Sequence, residues 1–131
     1  MKEKELIKLE HLSILEINGK GSFELLQGQI TSDMNKVNDD NCVIGSICDL
    51  KGRVVCSFIV AKNEKENNSF ILVGETKALE ATLTILKKYK PFYDCSLRKR
   101  EDIKFYAIEE GYLINDFPET KLDISLQKYG S

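Results

Sequence analysis

The sequence predicts an α+β fold: an antiparallel or mixed sheet with two main helices packed on one face. Three observations predict it. Short runs rich in β-branched residues recur between polar turns. Two stretches carry apolar residues at helical spacing. The two kinds follow one another as strand, helix, three strands, helix and two further strands.

Each element has its own signal. "LSILEI" (12–17) has strand composition, and "NGKGS" after it is rich in turn formers. Ser22 is placed to cap a helix, and Phe23, Leu26, Ile30 and Met34 then share one helical face. "NKVNDDN" is a polar loop. "CVIGSIC" (42–48) and "RVVCSFIVA" (53–61) are strands joined by "DLKG", where Gly52 can supply the positive φ of a tight connection. Both faces of 53–61 are largely apolar, so this strand is expected to be central and covered on both sides. "KNEKENN" is a second hairpin loop and "SFILVG" (69–74) the returning strand. Thr76 is expected to cap a second helix with Leu79, Leu83 and Leu86 inward. Lys87, Lys88 and Lys90 complement its C-terminal dipole, and Pro91 stops it. "CSLRKR" (95–100) and "IKFYAI" (103–108) follow as strands joined by Glu101-Asp102, with "YLI" as a further short candidate. The last stretch, "NDFPETKLDISLQKYGS", has weak periodicity.

Bulk properties exclude several classes. The chain has 131 residues, 42% hydrophobic and 31% charged, the composition of one folded domain over 1–131 rather than of a disordered segment. A formal charge of −2 gives no basic excess for a nucleic acid, and "LRKRE" and "LKKYK" read as solvated element ends. "MKEKELIKLEHL" lacks the apolar run of a signal peptide or membrane span, so the expectation is a cytoplasmic protein with no membrane partner. The four cysteines include no C-x-x-C pair and His11 is the only histidine, which predicts no metal site and no catalytic triad. Cys48 and Cys56 fall on adjacent strands and are expected, like the others, to be structural thiols.

Two polar clusters remain. Gln27-Gly28-Gln29-x-Thr31-x-Asp33 interrupts a good amphipathic segment, and Asp49-Leu50-Lys51-Gly52-Arg53 forms a turn. A structural reading is available for both: glycine permits close packing, the amides face solvent, and the aspartates cap or close turns. A ligand reading is available too. Amide side chains in a row offer coplanar donors and acceptors to a flat heterocycle such as a pterin, and Lys51 or Arg53 offers a cation to a carboxylate tail.

"LLQGQITSDMNKV", "CDLKGRVVCSFIVAK" and "LKKYKPFYDCSL", in that order, resemble the N-terminal region of the YgfZ proteins, folate-binding relatives of the glycine-cleavage T protein, an aminomethyltransferase. The match spans residues 12–108. The resemblance implies an α+β fold forming part of a folate cavity, with tetrahydrofolate or a derivative as cofactor. It implies support of iron–sulfur cluster assembly or repair, including of tRNA-modifying enzymes, so that iron–sulfur enzymes or assembly factors are the expected partners. Matching positions are Gln27, Gly28, Gln29, Thr31 and Asp33, and Asp49, Lys51, Gly52 and Arg53.

The departures carry information as well. The acidic pair of the aminomethyltransferases aligns with Cys56-Ser57, which cannot handle an amine proton as a carboxylate does, so aminomethyl transfer is disfavoured and no catalytic residue is assigned. The family's K-G-C-[FY]-T-G-Q-E motif is absent from the 131 residues. The chain is expected to cover about the first two-fifths of such a protein, without its downstream domains. A chain that short is expected to pair with itself or a partner to cover apolar surface. The alternatives are a folate-dependent one-carbon enzyme and a protein-interaction module without a small ligand.

Overall fold

The computed structural model describes residues 7–39, 41–63, 67–100 and 105–107. Its elements are β1 (Ile7–Leu9), β2 (Leu12–Asn18), α1 (Ser22–Gln29), β3 (Val43–Cys48), β4 (Val54–Lys62), β5 (Ser69–Glu75), α2 (Thr76–Tyr89), β6 (Ser96–Arg100) and β7 (Phe105–Ala107). Short 3₁₀ turns occupy Met34–Lys36 and Lys90–Phe92. The expected α+β class is the one observed, a five-stranded antiparallel sheet in the order β3-β4-β5-β2-β6 carrying two helices.

The alternation of side chains along each strand decides where the core sits. Leu15, Ile17, Cys56, Phe58, Val60, Phe70 and Leu72 point to one face. There they pack with Leu25 and Leu26 of α1 and Leu79 and Leu86 of α2. Burying such aliphatic side chains contributes roughly 1.5–3 kcal/mol each before the entropy of ordering is set against it. Phe23 extends this core, its ring centroid 6.3 Å from that of Phe70. Ile14, Ala61, Ile71 and Val73 form a second, smaller cluster on the opposite face.

The strands buried on both faces are β2, over Ser13–Ile17, and β5, over Ser69–Gly74; β4 departs from its expectation. It does lie inside the sheet, and Cys56, Phe58 and Val60 are buried toward the helices. On the other face Ser57 is exposed and Val55 and Ile59 are half-buried. An apolar composition could not show how far the cover reaches along that strand.

Both expected caps move by one residue. Gly21 precedes α1, while Ser22 is its first residue; its buried hydroxyl donates to the carbonyls of Gly19 (2.7 Å) and Asn68 (3.0 Å). At α2 the cap is Glu75, whose carboxylate accepts from the Ala78 N–H at 2.8 Å. The Thr76 hydroxyl instead donates to the His11 carbonyl (3.0 Å) and meets the Ser13 hydroxyl (2.7 Å). Thr82, not Leu83, is the fully buried residue in the middle of α2, its hydroxyl donating to the Ala78 carbonyl at 3.0 Å. As expected, the helix carries Lys87 and Lys88 in its last turn and ends before Pro91.

The segment 105–107 pairs with β1 rather than with β6, through Ile7↔Ala107 and Leu9↔Phe105. Local pattern cannot foresee a partner nearly a hundred residues away. Glu101-Asp102, "YLI" at 112–114 and the stretch 115–131 lie outside the described residues.

Candidate functional site

The first polar cluster changes the backbone. The helix expected to run to Met34 stops at Gln29, and Ile30 is already extended at φ −103° and ψ 162°. Hydroxyl side chains here compete for backbone groups and favour leaving the helix. Ile30 makes an antiparallel bridge to Ile47. The Thr31 N–H donates to the Ser46 carbonyl at 2.9 Å, while the Thr31 hydroxyl accepts from the Ser46 N–H at 3.1 Å and meets the Ser46 hydroxyl at 3.0 Å. Ser32 donates to the Ile44 carbonyl. Residues 30–32 thus cover the outer edge of β3, a row of backbone groups that an edge strand otherwise leaves open.

Other members of the cluster hold the same turn. Gln27 accepts the Met34 N–H on its side-chain oxygen at 2.7 Å. Asp33 caps the following 3₁₀ turn by accepting from the Asn35 N–H at 2.9 Å. Gln29 is half-buried and Gly28 exposed, and among the described residues the Gln29 side chain meets no hydrogen-bond partner.

The second cluster is a closed turn. Asp49 accepts from the N–H groups of Lys51 (2.8 Å) and Arg53 (3.0 Å) on one oxygen, and from the Arg53 guanidinium (2.9 Å) on the other. The Arg53 N–H does most to hold the Asp49 carboxyl below its ordinary range, against a smaller desolvation effect; the Lys51 N–H and the Arg53 side chain add to it. Gly52 has φ +80°, the left-handed region expected of it. Beside the turn, Cys48 pairs with Val54 while Ile47 pairs with Cys56, a register shift that leaves Val55 over. Lys51 is exposed, and its ammonium has no partner among the described residues.

Register brings the end of α1 to the end of β3 that leads into the second cluster. Because Ile30 lies antiparallel to Ile47, the chain running back from Ile30 into the last turn of α1 runs toward the Cys48 end of β3, where the 49–53 turn begins. Of the nine residues singled out, Thr31, Gln27, Asp33, Asp49, Gly52 and Arg53 serve local structure. Gly28, Gln29 and Lys51 are left over.

Sequence reasoning missed Tyr93. Its backbone is held by the turn after α2, its N–H donating to the Lys90 carbonyl at 2.9 Å, and its ring packs against the helix-side core. A Cβ added at Gly21 would stand 3.0 Å from the Tyr93 Cβ, and one at Gly28 would stand 3.6 Å from its hydroxyl. The side chain therefore runs along α1 between two glycines seven residues apart. That i, i+7 spacing was the legible signal.

The cysteines take no part. Cys42 and Cys56 are buried, and none of the four described cysteines is in a disulfide. Burial pushes the Cys56 and Cys95 thiols up, toward the unreactive neutral form. Among the described residues no group of His, Cys, Asp or Glu could hold a metal ion. In the positions of the acidic pair, Cys56 faces the core and Ser57 is exposed.

The fold is that of the glycine-cleavage aminomethyltransferases. The T protein from Bartonella henselae superposes with a TM-score of 0.65 over 73% of this chain and 26% of that one, at 16% identity. In sequence the chain is similar to YgfZ proteins. It is 30% identical over 106 residues to the "tRNA-modifying protein YgfZ" of Colwellia psychrerythraea, 81% of this chain and 32% of that protein. It is 25% identical over 126 residues to the protein of the same name from Aliivibrio fischeri strain MJ11, 95% of this chain and 39% of that one. The chain spans about a third of the length of the curated relatives it matches. No protein-family model matches it.

Proposed function

We propose that the chain is a folate-binding accessory protein, taking tetrahydrofolate or a derivative and supporting iron–sulfur cluster assembly or repair, including in enzymes that modify tRNA. The observation that carries this reading is the register between Ile30 and Ile47, which sets the α1 C-terminal turn and the 49–53 turn at one end of β3. The likeness in sequence to YgfZ proteins and in fold to an aminomethyltransferase supports the same ligand class. In this reading Gly28 and Gln29 meet the heterocycle and Lys51 meets a carboxylate. Gln27, Thr31, Asp33, Asp49, Gly52 and Arg53 shape the wall that presents them. The proposed setting is the cytoplasm; no helix among the described residues is long and apolar enough to cross a membrane.

Calorimetric titration of tetrahydrofolate into the chain tests the reading. Gln29→Ala and Lys51→Ala are the informative variants, because neither side chain holds a bond among the described residues. The expected result is saturable heat with the unsubstituted chain and weaker binding in both variants. Equal heats of dilution in all three would count against a folate site. An aminomethyl-transfer assay is expected to be blank, since Cys56 and Ser57 supply no carboxylate at the aligned positions.

One feature favours a second reading, contact with another polypeptide or a second copy. Leu50, Val54 and Ile44 are 94%, 63% and 61% exposed, more apolar surface than β3, β4 and their turn require. Size-exclusion chromatography with and without folate separates the two readings.

A further inference from the structure

Gly28 has no reason of its own to be glycine. It lies in the last turn of α1, and glycine within a helix costs up to about 1 kcal/mol relative to alanine. Its backbone is not left-handed, and an added Cβ would meet only the Tyr93 hydroxyl, at the ordinary contact distance of 3.6 Å. The contrast with Gly21 is direct: there a Cβ would stand 2.6 Å from the Asp94 nitrogen, so the fold itself demands the glycine. At Gly28 the described packing makes no such demand.

The group beside it is a phenol with an idle hydroxyl. The Tyr93 ring is half-buried and packed against the core, so the hydroxyl is held in place. Among the described residues it has no hydrogen-bond partner. The Gln27 side-chain oxygen is taken by the Met34 N–H, and Gln27 itself is exposed. A bare stretch of helix backbone thus lies beside the Tyr93 hydroxyl, with Gln27 and Gln29 flanking it in sequence. A flat ring can rest there at van der Waals distance; a methyl group at 28 would lift it off.

We propose that Tyr93 is a ligand-binding residue whose hydroxyl hydrogen-bonds a ring nitrogen or carbonyl oxygen of a pteridine lying over Gly28. This rests on the folate reading above. The test is titration of tetrahydrofolate into the unsubstituted chain, Tyr93→Phe and Gly28→Ala, each checked by urea unfolding. Tyr93→Phe keeps the ring and removes the one bond, so affinity is expected to fall about five- to tenfold with the unfolding midpoint unchanged. Gly28→Ala is expected to bind more than about tenfold more weakly while unfolding at higher urea, a pairing that a purely structural glycine would not produce. Unchanged affinity in Tyr93→Phe, with the unsubstituted chain binding, overturns this inference and leaves the folate reading intact. Unchanged affinity in Gly28→Ala overturns the placement of the ring over that residue. No binding by the unsubstituted chain overturns the folate reading, and this inference with it.

Discussion

The two polar clusters look alike in the sequence and differ in the structure. In the 49–53 turn nearly every polar group is consumed locally: Asp49 accepts three hydrogen bonds from within five residues, and Gly52 takes the one left-handed position. In the 27–33 segment Thr31 and Ser32 reach outward to Ser46 and Ile44, Gln27 and Asp33 bond within the turn, and Gly28 and Gln29 are left without a structural task. A motif is therefore not a site. Subtracting what the fold uses leaves a short residue, and that residue is where ligand chemistry has to be sought.

Substitutions can break this comparison. The largest effect is expected at Gln27→Ala, which leaves the N–H of the buried Met34 unpaired. It should lower stability by about 1–3 kcal/mol, read as a shifted urea midpoint at constant slope. Gly52→Ala comes next, at about 1–2 kcal/mol for a side chain forced into the left-handed region. If Gln27→Ala proved neutral while Gly52→Ala did not, only the turn would be a structural device. Gly28→Ala should run the other way, stabilising by about 0.4–1 kcal/mol. A loss of stability there would restore a packing role to that glycine.

The smallest effect is a pH dependence. The Asp49 carboxyl sits below its unfolded value in the folded chain, chiefly because of the Arg53 N–H. Its contribution is present above the unfolded carboxylate range and is lost as pH falls through the folded value. Glu75 behaves in the same sense, held down chiefly by the Ala78 N–H. Asp49→Asn should therefore flatten the acid limb of stability below about pH 4 without moving the plateau slope near neutrality. An unchanged acid limb would mean that the turn does not feel the charge. The pair with Arg53, whose side chain is 71% exposed, is screened and adds little.

Several elements were legible because their physics is local. The spacing of Leu79 and Leu86, the apolar runs at 12–17 and 69–74, and Pro91 after Tyr89 each act within a few residues, and the structure keeps all of them. The α1 end was misjudged for the opposite reason. Ile30 and Met34 fit a helical face by spacing, but Thr31 and Ser32 find better partners on β3, more than ten residues ahead. The same holds for Tyr93, whose neighbour Gly28 lies far away in sequence on α1.

From its residues alone the chain determined the class of fold, the content of its strands and helices, the left-handed position at Gly52 and the family it resembles. These follow from short-range sterics, periodicity and turn chemistry. Only the tertiary structure decided which polar residues are spent on holding the sheet edge and which remain free, because hydrogen bonds between distant segments exist only once the sheet has brought them within reach.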